Sequence, residues 1–341
     1  MAKPLQAGDL TILNGCLLSI PFSAASSTGM ETTERSPISG QILWHWWVTA
    51  RQQAIAADID PAEVDWLLQE LAGLDRLALR LESFRQQDEI WLACPFSQLQ
   101  ALWQQRIQQR VPVQYLAGVA PWRQFRLTVS PAVLIPRPET ECLIDLAIAA
   151  VTSESHKLSG HPPSPSAGPT HWADLGTGSG AIALGLATAF PQATIHAVDW
   201  SATALSIARQ NAQTYHLQDR IRFYQGAWLE PLTHLKGQLS GIVSNPPYIP
   251  TGLLPDLQPE VVRHEPQLAL DGGPDGLDCI RLLVAMAPDY LCSGGILLFE
   301  MMAGQASTVN ELLQAQGCYR DIHIHADLAG IDRFALAYRA D

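Results

Sequence analysis

From about Thr170 onward the chain reads as an α/β protein with a mostly parallel sheet, preceded by a small helical N-terminal domain. Three observations predict this. Strand-like and helical stretches alternate from Thr170 to the end, the pattern of a parallel sheet covered by helices. The first strand runs into a glycine-rich turn, Gly176-Thr177-Gly178-Ser179-Gly180, ahead of a helix. Residues 41–111 carry helical periodicity and helix-start signals instead.

Residues 1–40 read as a poorly ordered extension. Leu10 to Ile20 is apolar and is followed by Pro21, which faintly resembles a signal peptide. Lys3 is its only preceding positive side chain, Asp9 sits at its edge and Asn14-Gly15 interrupts it, so the extension is preferred. No other stretch approaches the apolar length that spans a bilayer. In the helical domain, 41–111, Asp60-Pro61-Ala62-Glu63 has a capping Asp, a Pro at the first helical position and a Glu after it. Val64, Leu67, Leu68, Leu71, Leu74 and Leu77/Ala78 then trace one apolar face. Ser97-Gln98-Leu99-Gln100 reads as a second capping box, followed by Leu102, Trp103 and Ile107. Trp44, Trp46, Trp47, Trp66, Trp91 and Trp103 fall at helical spacing and are read as core.

Residues 112–140 are expected to form a linker with a short strand pair, its clearest part the alternating run at 125–129. Leu134-Ile135-Pro136-Arg137-Pro138-Glu139-Thr140-Glu141 is a rigid turn whose acids suit the first turn of a helix through Leu143, Ile144 and Ala147. The α/β domain spans 141–341. Within it 152–169, rich in Ser, Pro, Gly and His, reads as a flexible insertion. Strands are expected at 171–175, 194–198, 221–224, 241–244 and 295–300, with a final strand pair at 319–325 and 333–338. Helices are expected at 181–188 and 201–215.

Composition narrows the function. At 47% hydrophobic and 16% charged residues the 341-residue chain is globular, with a net charge of −12. A protein that grips nucleic acid through phosphates carries a basic footprint, which this total lacks. The acidity favours a protein or small-molecule substrate and a cationic cofactor. Six scattered cysteines without a C-x-x-C pair read as reduced thiols of a cytoplasmic protein. The ten histidines form no helical ligand pair, and His323 with His325 read as a strand face, so no metal is expected.

The chemistry concentrates in Ser244-Asn245-Pro246-Pro247-Tyr248, directly after the Gly241-Ile242-Val243 run. Ligands of open α/β sheets bind outside the carboxyl ends of strands. The two prolines fix φ and remove N–H groups, leaving a stiff turn that shows carbonyls. Asn245 and the Pro246 carbonyl together can accept both hydrogens of a planar –NH2 group. Glycines at 176, 178 and 180 let backbone approach a ligand closely, and Asp199, ending the second strand, can grip ribose hydroxyls. The glycine loop by itself does not exclude a dinucleotide. With Asp174 just before it, the arrangement suits an adenosyl amino acid better.

These segments resemble class I S-adenosylmethionine-dependent methyltransferases acting on amide or exocyclic –NH2 nitrogens. The match is closest to the HemK/PrmC-type enzymes, which methylate a glutamine side chain in peptide chain release factors. It rests on 112–118, the Ile-Pro-Arg-Pro-Glu-Thr-Glu stretch, 174–180, Asp199, 244–250, Glu265-Pro266, 269–276 and 327–330. The Ile-Pro-Arg-Pro-Glu-Thr-Glu stretch discriminates most, because nucleic-acid enzymes with Asn-Pro-Pro-Tyr generally lack it. Ala227 stands where the family usually has Asp, and Met302 where it often has Gly.

The resemblance implies a Rossmann-like class I methyltransferase sheet, mostly parallel with an antiparallel terminal strand, and S-adenosyl-L-methionine as cofactor. It implies that Asn245, Pro246, Pro247 and Tyr248 hold the glutamine of a Gly-Gly-Gln motif and act catalytically. Asp174, Gly176, Thr177, Gly178, Ser179, Gly180, Asp199, Trp228 and Asn245 would bind the cofactor. Arg137 is assigned to the substrate side, with a wall-bracing or purely structural salt bridge open as well. The helical domain would dock the release factor, in a monomer that binds neither nucleic acid nor membrane directly. Two other readings compete: an amino methyltransferase acting on adenine or guanine, which the acidity opposes, and a non-catalytic binding protein of the same fold. A nicotinamide oxidoreductase is disfavoured, since no His or Lys in a catalytic context accompanies the loop.

Overall fold

The computed structural model describes residues 35–159 and 170–341. Its N-terminal unit contains β1 (Ser36–Ile38), α1 (Gly40–Ala56), α2 (Ala62–Ala72), α3 (Arg76–Arg80), β2 (Ile90–Leu92) and α4 (Phe96–Gln109). α1 is capped by Ser39, whose side chain accepts from the Ile42 amide. Leu43, Trp47, Val64, Leu67, Leu68, Leu99 and Trp103 pack into one core.

Several local readings are corrected here. The face traced from Val64 to Leu77 is broken, because Gly73 takes a left-handed conformation that ends α2. Leu77 is then exposed, and Leu79 of α3 is the buried residue. The Ser97 capping box does not form: α4 begins at Phe96 behind Pro95, and no side chain caps it. Trp91 is exposed, since it alternates with buried Ile90 and Leu92 on a strand. That strand pairs antiparallel with β1, a pairing that helical periodicity did not reveal.

α5 (Val113–Ala117), β3 (Val119–Trp122) and β4 (Phe125–Thr128) follow, with β3 and β4 an antiparallel pair. A single-turn 3-10 helix, Glu139–Glu141, leads into α6 (Cys142–Ser159). The helix therefore continues into the segment read as a flexible insertion. The rest of that segment, 160–169, lies outside the described residues, as does most of the N-terminal extension.

The larger unit continues through β5 (His171–Leu175), α7 (Ala181–Ala189), β6 (Thr194–Asp199), α8 (Ala202–Thr214), β7 (Ile221–Gln225) and β8 (Leu239–Ser244). It ends with α9 (Pro259–His264), α10 (Asp278–Tyr290), β9 (Leu291–Glu300), α11 (Ala306–Gln316), β10 (Tyr319–Ala326) and β11 (Asp332–Arg339). Seven strands form one sheet in the order β10-β11-β9-β8-β5-β6-β7. β5 to β9 run parallel, and β11 enters antiparallel between β9 and β10. This is the mostly parallel sheet with an antiparallel terminal strand that the sequence predicts. Successive strand residues serve opposite faces: Trp172, Ile195, Val243 and Leu298 pack with α6 and α7 on one, while Ala173, Val198, Ile242 and Phe299 pack with α10 and α11 on the other.

The chain winds from β5 outward through β6 and β7, then returns to place β8 on the other side of β5. Strand order therefore reverses between β5 and β8, and their carboxyl ends diverge to leave a crevice. The glycine turn follows one of these strands and Asn245 the other. Among the described residues no helix is long and apolar enough to cross a membrane.

Candidate active site

A cleft of about 290 Å³ occupies this crevice, lined by Gly176, Gly178, Asp199, Trp228, Asn245 and Pro247, among others. A second, smaller pocket of about 140 Å³ includes Leu134, Arg137, Asn245, Tyr248 and Ala269 in its wall. Leu134, Asn245 and Ala269 are common to both. Asn245 therefore stands where the two spaces meet.

The glycine turn is shaped by backbone conformation. Gly176, Gly178 and Gly180 all have positive φ, and a Cβ on Gly176 would meet nothing within 4 Å, so it would simply project into free space. Asp199 fastens the turn: its Oδ2 accepts from the Gly178 amide and its Oδ1 from Ser201, both at 2.8 Å. Burial raises the Asp199 pKa against these backbone bonds. Asp174 is fully buried, and its Oδ2 accepts from Thr177 Oγ1 at 2.5 Å and from the Ala183 amide at 2.9 Å. Its Oδ1 is buried without a partner. Burial, and secondarily Asp199, push the Asp174 pKa up to about 7 against those bonds. Thr177 and Ser179 are buried within the turn rather than along the cleft wall. Asn211 secures the turn from behind, donating to the Ser179 and Thr128 carbonyls.

On the β8 side, Asn245 Nδ2 donates to Thr140 Oγ1 at 3.1 Å, and Thr140 donates in turn to Glu300 Oε2 at 2.7 Å. Tyr248 donates its hydroxyl to Glu300 Oε1 at 2.9 Å. Among the described residues no donor meets the Asn245 Oδ1 or the Pro246 carbonyl. Pro247 faces the larger cleft and Tyr248 the smaller pocket. Burial, followed by the neighbouring Glu300, raises the Tyr248 pKa, so its hydroxyl stays protonated and donates.

The turn is clamped by residues given no role from sequence. Gln305 Nε2 donates to the carbonyls of Tyr248 at 3.1 Å and Gly276 at 3.2 Å, while its Oε1 accepts from the Met302 amide at 2.9 Å. A Cβ on Gly276 would sit 2.3 Å from the Tyr248 carbonyl oxygen, which explains a glycine in the Asp-Gly-Gly-Pro-Asp-Gly segment. Arg137 lines the smaller pocket, but its Nη2 is committed to both oxygens of buried Glu265 at 2.7 and 2.8 Å. It braces the wall between the 134–138 turn and the 265–271 segment. α9, just ahead of that segment, is tied to the N-terminal unit: buried Arg106 bridges Glu63 and Glu260, and Arg110 Nε reaches Glu260 at 2.8 Å.

Residues 165–263 match the family model described as Methyltransferase small domain. Curated relatives named release factor glutamine methyltransferase are similar along nearly the whole chain. The one from Synechocystis sp. is 54% identical and the alignment covers 88% of this chain and 97% of that protein. Those from Thermosynechococcus vestitus and Gloeobacter violaceus are 48% and 43% identical, covering 88% and 89% of this chain and 99% and 98% of theirs. This chain belongs to the release factor glutamine methyltransferase family.

A methyltransferase of this family uses S-adenosylmethionine, and the cleft fits it. The free space over Gly176 admits close approach of a ligand, and Asp199 puts a carboxylate in the cleft wall. Asp174 does not line the cleft but leaves a partnerless oxygen buried behind the turn, an acceptor that favours a cationic ligand. Sequence reasoning missed Trp200, 65% exposed beside the cleft, and the roles of Thr140, Glu300 and Gln305. The available signal was positional: Glu300 is a buried acid ending a central strand beside β8.

Proposed function

We propose that this methyltransferase modifies the side-chain amide nitrogen of a glutamine in peptide chain release factors, as a monomer in the cytoplasm. One observation carries the reading. The Asn245 amide is held by its NH2 end at the junction of two spaces, leaving Oδ1 as an acceptor with no partner among the described residues.

The Gly176–Gly180 backbone and Asp174 would hold the methionine part of the cofactor, Asp199 the ribose and Trp228 the adenine. When bound, the cofactor supplies an electrophilic methyl group on a sulfonium. Asn245 Oδ1 and the Pro246 carbonyl accept the two amide hydrogens of the substrate and aim its nitrogen at the larger cleft. An amide nitrogen is a weak nucleophile because its lone pair is delocalised. Acceptors fixed in advance would favour the positive charge that grows on nitrogen as the new N–C bond forms and the carbon–sulfur bond breaks, its electron pair staying on sulfur as a neutral thioether. Once methylated, that nitrogen is acidic enough to release its proton to water, so no strong base is required. Tyr248 and Pro247 flank the amide, and Arg137 supports the pocket wall. The smaller pocket, walled by Leu134, Ile249, Leu257, Val261 and Leu270, suits the aliphatic stem of a glutamine. The helical unit docks the release factor.

The test is transfer of labelled methyl from S-adenosylmethionine to a purified release factor. Label is expected on the factor and is lost with Asn245→Ala or with a substrate Gln→Ala. Label on bulk RNA or DNA instead would replace this reading with the nucleic-acid one.

A further inference from the structure

Glu300 is 2% exposed, yet among the described residues it has no ion-pair partner. Arg333, whose charge favours the ionised Glu300 without pairing with it, gives its Nε to Asp327 at 2.7 Å. A buried carboxylate satisfied only by neutral donors is costly, and a neutral side chain of the same shape would avoid that cost. We propose that Glu300 and Thr140 are positioning residues that fix and polarise the Asn245 amide for methyl transfer, an inference that rests on the reading above.

With Glu300 ionised, a form that burial opposes and that the Thr140 and Tyr248 hydroxyls and the Arg333 charge favour, counting hydrogens sets the direction of the chain. The Thr140 hydroxyl has one, and it is donated to Glu300 Oε2 at 2.7 Å. Thr140 therefore offers only a lone pair to Asn245, which selects Nδ2 at 3.1 Å and turns Oδ1 away. Without the carboxylate, the hydroxyl is free to point at Asn245. The amide then flips, and a donor pair meets the substrate NH2 where an acceptor should be. The carboxylate also polarises the hydroxyl, and through it the amide, adding electron density at Oδ1. That density faces the nitrogen that turns positive as its bond to the methyl carbon forms. Glu300 Oε1 meanwhile holds the Tyr248 hydroxyl at 2.9 Å, so one group sets both side chains of the turn. Thr140 is buried in the 3-10 turn behind Pro138, and Glu300 ends β9 beside β8. Neither has freedom to move off line.

The test combines kinetics with a spectroscopic readout. Thr140→Val keeps shape and removes the hydroxyl. It is expected to lower kcat about 10- to 100-fold, with cofactor Kd and release-factor KM within about twofold of wild type. Thr140→Ser restores kcat to within a few-fold. Glu300→Gln lowers kcat in the same direction. In an Asn245→Ala background, Thr140→Val costs far less than in wild type, because Thr140 acts mainly through Asn245. Unchanged kcat in Thr140→Val, a loss expressed through cofactor Kd, or losses that add to those of Asn245→Ala would overturn the proposal. The Asn245 side-chain amide protons, identified in a nitrogen–proton spectrum by their loss in Asn245→Ala, report the anchor without any substrate. Slow exchange is expected in wild type and fast exchange in Thr140→Val. Fast exchange in wild type overturns the positioning role. Slow exchange without methyl transfer to a release factor supports the anchor and overturns only the substrate assignment.

Discussion

Gly276→Ala separates the shape of the catalytic turn from the chemistry of its side chains. Gly276 has φ +77, and an added Cβ would lie 2.3 Å from the Tyr248 carbonyl oxygen and 2.8 Å from Gln305 Nε2. Left-handed backbone costs a non-glycine residue about 1 kcal/mol. The overlap adds about 1–3 kcal/mol, because a carbonyl in a stiff Pro-Pro-Tyr turn cannot swing aside like a flexible side chain. Relief needs a shift of about 1 Å, enough for roughly a hundredfold loss in a reaction that depends on near-attack geometry. Gly237→Ala is the matched control: φ is +69 and nothing lies within 4 Å of its Cβ, so it reports backbone strain alone. Labelled-methyl transfer gives kcat, calorimetry gives cofactor Kd, and thermal unfolding gives stability. The expected result is a kcat loss of roughly 10- to 100-fold with cofactor Kd nearly unchanged. Gly276→Ala should also unfold at a lower temperature than Gly237→Ala. Equal behaviour of the two variants, or wild-type kcat in Gly276→Ala, would refute the claim that the 271–276 segment sets the turn.

Three further outcomes are expected. Asp174 is held near pKa 7 by burial, and a cationic cofactor prefers its ionised form. Binding at about pH 6.5 should therefore release protons, with affinity rising toward pH 7 and levelling above it. Calorimetry in buffers of different ionisation heat measures this, and Asp174→Asn should abolish the release. His196 is fully buried in β6, hydrogen-bonded to His171 and Tyr224, and burial followed by His171 pushes its pKa down to about 4. Its unfolded form titrates near 6.5, so its contribution, up to about 3 kcal/mol, is present above that pH and lost as pH falls toward 4. Urea unfolding at pH 7 and 5 should show the loss, and His196→Gln should flatten it. Arg106→Ala strands Glu63, 24% exposed, and leaves Glu260, 14% exposed, with Arg110 alone, and should cost about 2–4 kcal/mol in urea unfolding. A loss below about 1 kcal/mol would mean that this joint contributes little to holding the two units together.

What repeats locally or punctuates the chain was legible in the residues alone. Alternating apolar residues located β5 to β8, and the glycines located the turn after β5. Asn-Pro-Pro-Tyr marked the end of β8, and shared motifs identified the family. These features are legible because strand and helix periods, glycine φ and proline stiffness act within a few residues. Local signals also misled where a neighbour decided the outcome. Ser97 caps nothing because α4 starts ahead of it, and Trp91 is exposed because its strand pairs with β1. Which distant groups meet depends on the folded arrangement. Thr140 and Glu300 are 160 residues apart, Asn245 lies 105 from Thr140, and Arg106 lies 154 from Glu260. Such contacts leave no periodic trace. They arise because strand order reverses between β5 and β8, gathering loops from across the chain at one edge, where each buried polar group must find its partner.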